Sequence, residues 1–232
     1  TEESIKAVAF GRADAALGEL AVFGYLLNRN MITDLVLSGE VKLGGSNYTQ
    51  LQIAVRKDLK ILASILVKAM RALDEDKVDA LRRRWINASA KPDTEQRREL
   101  RLTGDEREWL DRHKNIRLGV DPLYPPFEFV DEKGRYAGIA SDYVRLISER
   151  LSVNMRFVPG LSWQQVVAGI GDGSIDVLPA VMATNEREAI MDFVRPHMTF
   201  PVVVITRDDF PLIAGVGDLV GNRVALVRDY AV

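Results

Sequence analysis

The stretches IRLGVDPLYPPFEF (116–129), DEKG (131–134) and GSIDVLPAVMATNER (173–187) decide the fold. Ile116, Leu118 and Val120 alternate as a short strand that ends on Asp121, and the rigid Pro125-Pro126 loop follows. DEKG is a turn, after which Tyr143, Leu146, Ile147 and Leu151 recur at helical spacing and predict a buried helix face. A second strand ends near Phe157 and Val158. Ser162 with Gln165 then has the spacing of a capping box, which sets Trp163 in the first turn of a helix. Asp176 leads the third strand, VLPAV, and Thr184 precedes a helix start that carries Arg187. Strand, loop, helix, strand, helix, strand is the grammar of a doubly wound α/β lobe.

In such sheets ligands bind outside the carboxyl ends of the strands, so Asp121, Tyr124, Trp163 and Arg187 are the candidate site residues of this stretch. Trp163 offers a stacking face. Arg187 beside backbone N–H groups offers a receptor for a carboxylate.

Outward from this stretch the same pattern returns. GRADAAL (11–17) repeats the helix, glycine, aspartate, strand order of GSIDVLP (173–179), which predicts a second α/β lobe on a similar plan. Leu51, Ile53 and Val55 predict a strand after a turn at GGSN (44–47), and Asp58 is the expected N-cap of a helix striped by Leu59, Leu62, Ile65, Leu66, Ala69 and Leu73. Val78, Leu81 and Trp85 mark another helix, whose Arg82 to Arg84 run is expected to be a solvated face. NASAKPDTEQRRELR (87–101) has no apolar period and reads as a linker. Thr103 with Glu106 then opens a short helix. FVRPHMTFPVVVIT (193–206) is expected to be an extended crossing that leads into an apolar strand, and Arg223 to Val227 another strand.

Composition narrows the function classes. The 232 residues carry a formal net charge of −2 and are 47% hydrophobic, with no bias toward nucleic acid or anionic lipid. No apolar run reaches membrane-spanning length, and no signal peptide opens the chain, whose start reads as the interior of a domain. The absence of cysteine excludes disulfides and thiolate metal sites, and His113 and His197 lie far apart in the sequence as surface or partly buried side chains. No metal and no cofactor is expected.

Taken together, these motifs resemble periplasmic solute-binding proteins of family 3, the amino-acid-binding Venus flytrap. The quoted stretches, with Trp163, DFVRP (192–196) and DLVGNRVALV (218–227), are similar to its first lobe, its crossing and the opening of its second lobe. GRADAALGEL (11–20), YTQLQIAVRKDL (48–59) and the helices up to residue 86 are similar to the closing half of such a domain. The resemblance implies an α/β, type II periplasmic-binding-protein fold. It also implies an order of parts: residues 1–86 as the C-terminal half of one flytrap, 87–113 as linker and short helix, 114–232 as the N-terminal half of the next. Tandem flytraps on such a linker resemble the periplasmic sensor region of BvgS-type hybrid histidine kinases. A permuted composite flytrap within one chain, or a homodimer that swaps halves, is the expected assembly.

What the resemblance implies for the site is a small carboxylate or amino-acid-like ligand. Asp121, Tyr124 and Trp163 match the family's loop and stacking positions, and Arg187 matches its carboxylate-binding arginine. Glu19 matches the acid that receives an amino group. Ala180 and Met182 stand where amino-acid binders place small hydroxyl residues, with Met182 counted in the expected site. The implied role is non-enzymatic ligand sensing in the periplasm, as part of an inner-membrane signalling protein whose kinase or cyclase module lies elsewhere. A periplasmic enzyme on this fold, such as a dehydratase or a lytic transglycosylase accessory domain, and a transport binding protein are the alternatives.

Overall fold

A computed structural model describes residues 2–41, 50–85, 99–213 and 215–227. The chain begins with α1 (Glu2–Ala9), β1 (Ala15–Glu19), α2 (Leu20–Arg29), β2 (Leu35–Glu40) and β3 (Gln50–Arg56). The helices α3 (Lys60–Arg71), α4 (Glu75–Trp85) and α5 (Gly104–Arg112) follow, then β4 (Asn115–Leu118), β5 (Leu123–Tyr124), β6 (Glu128–Val130) and β7 (Tyr136–Ala137). Next come α6 (Ile139–Leu151), β8 (Asn154–Phe157), α7 (Trp163–Asp172), β9 (Val177–Val181), α8 (Asn185–Ile190) and β10 (Met191–Phe193). The last strands are β11 (Met198–Thr199), β12 (Val202–Arg207) and β13 (Val224–Ala225). The expected GGSN turn and most of the expected linker lie outside the described residues.

The chain divides into two compact units at 51/52 and 197/198. The first joins the residues up to Leu51 with those from Met198 onward. Its sheet has the order β13-β1-β12-β2, with β1 parallel to β13 and antiparallel to β12. Ala15 faces Thr206 and Glu19 faces Val202 along that central pair. Both faces of β1 are buried, which explains why AALGE is apolar throughout except at its final residue.

The second unit, Gln52 to His197, carries a sheet of order β10-β3-β9-β4-β8. β4 runs parallel to β8 and β9, whereas β3 is antiparallel to β9 and β10. Ala54, Val166, Ile170, Ile175, Leu178, Val181 and Met191 form one side of its core. Leu62, Ile65 and Leu66 of α3 and Ile139 and Ile147 of α6 are fully buried, each contributing about 1.5–3 kcal/mol of transfer free energy.

Local signals act as read from the sequence at three helix starts. Thr103 and Glu106 form a complete capping box, as do Ser162 and Gln165, and Thr184 accepts from the Arg187 N–H. Gly11 and Gly173 take the left-handed conformation, φ +67° and +82°, where the chain turns from a helix toward β1 and β9.

Three expectations need correction. Asp58 does not cap α3: the N-cap position is Leu59, without a side-chain bond, because the Asp58 carboxylate is held by Arg56 at 2.6 Å. His197 is buried rather than at the surface or partly buried, packed edge-on against Tyr143 with ring centroids 5.0 Å apart. β2 was not anticipated, since LVLSGE is an edge strand with Val36 and Leu37 exposed and lacks strict alternation.

Candidate functional site

The second unit brings Tyr124, Trp163, Met182 and Arg187 together at the carboxyl ends of its strands. β9 delivers Met182 just beyond its end, and the capped first turn of α8 fixes Arg187. The Arg187 Nη1 donates to the Met182 carbonyl at 2.9 Å, which locks the guanidinium back onto the strand end. Its central carbon lies 5.5 Å from the Trp163 ring centroid, a cation–π arrangement worth about 0.5–2 kcal/mol. Burial lowers the Arg187 pKa from its ordinary value, while Tyr124 and Glu186 pull the other way. An arginine remains charged under any such shift, so this corner holds a half-buried, partly desolvated cation facing an aromatic wall.

Met182 contributes through its backbone carbonyl, with its side chain buried. Trp163 does two jobs. One part of the ring packs on the Val166–Ile170 core, and its face takes the guanidinium. Tyr124 is buried edge-on against Phe127 at 4.9 Å.

Asp121 is buried in the loop after β4. Its Oδ1 accepts from the Leu123 N–H at 2.8 Å, which tightens the loop after β4, and its own N–H donates to Glu128 at 2.9 Å. Glu128 is fully buried, and the Tyr136 hydroxyl donates to its second oxygen at 3.1 Å. Burial pushes the Glu128 carboxyl well above the usual carboxylate range. The Asp121 carboxylate adds to that rise, and the two donated hydrogen bonds oppose it. Sequence reasoning missed this acid because a glutamate between two prolines' loop and a turn looks like surface. The signal that could have found it is its place between Phe127 and Phe129.

Glu19 belongs to the other unit, as the buried last residue of β1 at the N-cap of α2. Ala180 is buried inside β9. Among the described residues no cluster of His, Cys, Asp and Glu could hold a metal ion, and no helix is long and apolar enough to cross a membrane.

Residues 116–227 match the family model of bacterial extracellular solute-binding proteins, family 3, and the fold is of the periplasmic-binding-protein type. Over its whole length the chain is similar to the virulence sensor protein BvgS of Bordetella pertussis, at 24% identity over 234 residues covering 18% of that protein. The sensor protein EvgS of Escherichia coli K12 is 25% identical over 195 residues, 78% of this chain and 16% of EvgS. An L-arginine-binding protein of Pseudomonas aeruginosa is 24% identical over 116 residues, covering 50% of this chain and 44% of that protein. The chain thus spans less than a fifth of the length of the sensor proteins it matches.

Proposed function

We propose that this chain is a periplasmic ligand-sensing region of a transmembrane signalling protein, probed by a small carboxylate or amino-acid-like molecule at the strand ends of its second unit. The observation that carries the proposal is Arg187, a half-buried guanidinium tied to the Met182 carbonyl and backed by Trp163. A carboxylate matches both the charge and the fork of donors that such a side chain presents. Similarity to two sensor proteins along most or all of the chain favours sensing over transport. Glu128, the acid with the raised pKa, is enclosed and already engaged by Asp121 and Tyr136, which argues against general-acid chemistry at this site.

The proposal includes the division of the chain into the end of one flytrap, a linker and the start of the next. Strands from both parts pair within each unit, β12 with β1 and β2, and β3 with β9 and β10, so a single chain supplies the partners. Mass measurement on size exclusion separates this from a swap between chains, for which a dimer is expected.

Thermal-shift screening of amino acids and organic acids tests the ligand. A carboxylate that stabilises the wild type is expected to bind Arg187→Ala about 10–100-fold more weakly, the loss of a charge-assisted hydrogen bond. Equal stabilisation of both proteins by every carboxylate sinks the assignment.

A further inference from the structure

Several buried acids of the second unit are answered by cations: Asp176 by Arg56 and Arg117, Glu106 by Lys68, and Asp142 by Arg84 and Arg145. Glu128 is more deeply buried than any of these, and among the described residues no lysine, arginine or histidine pairs with it. Its two oxygens receive only neutral donors, the Asp121 N–H at 2.9 Å and the Tyr136 hydroxyl at 3.1 Å. The turn into α6 closes over it, so that a Cβ at Gly138 would lie 2.8 Å from the Glu128 Cα and 2.5 Å from the Phe127 carbonyl oxygen.

The surrounding elements bring no compensating charge. The loop after β4 contributes a second buried carboxyl, Asp121, and β7 contributes Tyr136. α6 meets this segment through Ile139 and Ala140, whose N–H groups donate to the Pro126 and Phe127 carbonyls, and its first charged residue, Asp142, is held by Trp85 and Arg84 of α4. A buried carboxyl with no cation and a like charge nearby is driven toward its neutral form: burial first, and then the Asp121 charge, push Glu128 well above the ordinary 4.5. Both hydrogen bonds survive the change. Oε1 accepts from the Asp121 N–H in either state, and a phenol hydroxyl both donates and accepts, so the neutral acid donates to Tyr136 across the same contact.

We propose that Glu128 is a proton-linked positioning residue for the Arg187 corner: the neutral acid holds Tyr124 in place, and loss of its proton opens the β5–β6 pair and weakens carboxylate binding. The inference rests on the reading of that corner as a carboxylate site. Tyr124 lies directly opposite Glu128 in the β5–β6 register, and it is close enough to Arg187 to act on the guanidinium. β5 is two residues long with Leu123 exposed, so this pair opens at low cost, and opening hydrates an ionised Glu128. Because the folded value lies above the unfolded one, the closed arrangement is intact at acidic pH and is lost as pH rises through the folded value.

Carbon-13 NMR of the glutamate carboxyls in the wild-type chain, with Glu128 assigned by its absence from Glu128→Gln, reads the titration. Glu128 is expected to titrate well above 4.5, and the Tyr124 amide and Arg187 Nε resonances are expected to move with the same midpoint. Glu128→Gln keeps the shape and stays neutral, so those two resonances are expected to hold their acid-form positions at every pH. Tyr136→Phe removes a donor to the ionised form and is expected to raise the midpoint. Benzoate is the carboxylate probe, and its Kd is expected to rise on the order of fivefold across the midpoint in the wild type and to stay flat in Glu128→Gln. Arg187→Ala is expected to lose benzoate and keep the Glu128 midpoint, which tells failure of the carboxylate site from failure of this switch. If benzoate binds the wild type at no pH, the carboxylate reading suffers and the ligand-free midpoints decide the role of Glu128. A Glu128 midpoint in the ordinary carboxylate range, Tyr124 and Arg187 resonances that ignore it, a pH response retained in Glu128→Gln, or a benzoate Kd flat across the wild-type midpoint each overturns the proposal.

Discussion

Asp14 in the first unit and Asp176 in the second occupy the same place in the repeated pattern, and their surroundings can be compared atom by atom. Asp176 accepts from the Arg117 N–H at 2.9 Å, from Nε at 3.0 Å and from Nη2 at 2.6 Å. Asp14 accepts from the Arg223 N–H at 2.9 Å, from Nε at 3.0 Å and from Nη2 at 2.7 Å. In each case the aspartate N–H also donates back to that arginine's carbonyl. The neighbouring antiparallel strand even ends on corresponding residues: Arg56 pairs with Asp58, and Arg207 with Asp209.

The difference is where that second arginine points. Arg56 Nη1 reaches the Gly173 carbonyl at 2.8 Å and Asp176 at 3.2 Å, so two guanidinium groups converge on one carboxylate. Arg207 turns instead to the Val8 and Ala13 carbonyls, and Arg223 alone serves both Asp14 and the Gly11 carbonyl. The glycine–aspartate grammar therefore specifies a docking point for the arginine of the adjacent parallel strand in both units. The extra arginine decides how far the charge is withdrawn from water, with 11% of the Asp176 side chain exposed against 19% for Asp14.

The largest test removes the better-enclosed carboxylate. Asp176→Ala leaves Arg56 and Arg117 facing a void and is expected to cost about 3 kcal/mol. All three tryptophans, Trp85, Trp109 and Trp163, lie in the second unit, so their fluorescence during urea unfolding measures it selectively. A loss under about 1 kcal/mol would mean that the convergence is ornamental. Next in size, Arg56→Met should convert the second unit's arrangement into that of the first, at a cost of about 1–2 kcal/mol in the same assay.

The smallest effect concerns Asp14. Arg223, through its side-chain and backbone hydrogen bonds, holds the Asp14 carboxyl at about 2, below the ordinary 3.8. A depressed folded-state value stabilises above the unfolded value and is lost as pH falls toward the folded one, so the contribution disappears between about pH 4 and pH 2. Hydrogen exchange at the Ala15–Glu19 amides is expected to quicken across that window in the wild type and to show a flatter response in Asp14→Asn.

What was legible in the sequence was local. Capping boxes at Thr103 and Ser162 span three residues, and the Gly11–Asp14 and Gly173–Asp176 turns span four, so spacing alone predicts them. The partners were not legible, because Arg117 lies 59 residues from Asp176, and Arg223 lies 209 from Asp14. Asp58 misled for a different reason, local competition for its carboxylate. Its position fits an N-cap, but a neighbouring strand residue, Arg56, claimed the carboxylate first. At the candidate site, sequence pointed to Arg187 and Trp163 but not to their contact, and it gave no hint that the Met182 carbonyl holds the guanidinium. His197 was underestimated because burial of one histidine depends on helices α3, α4 and α6 closing over it.

The place of β12 has a consequence in time. It lies between β1 and β2, so strands made near the start of the chain share a partner made near its end. At ordinary rates of about 5–20 residues per second, the ribosome needs roughly 10–30 s after finishing Glu40 to deliver Arg207. Throughout that interval the two early strands have open edges and no central strand to join them. Their fate on the ribosome is a race between the arrival of Val202–Arg207 and capture by the edge of another nascent chain.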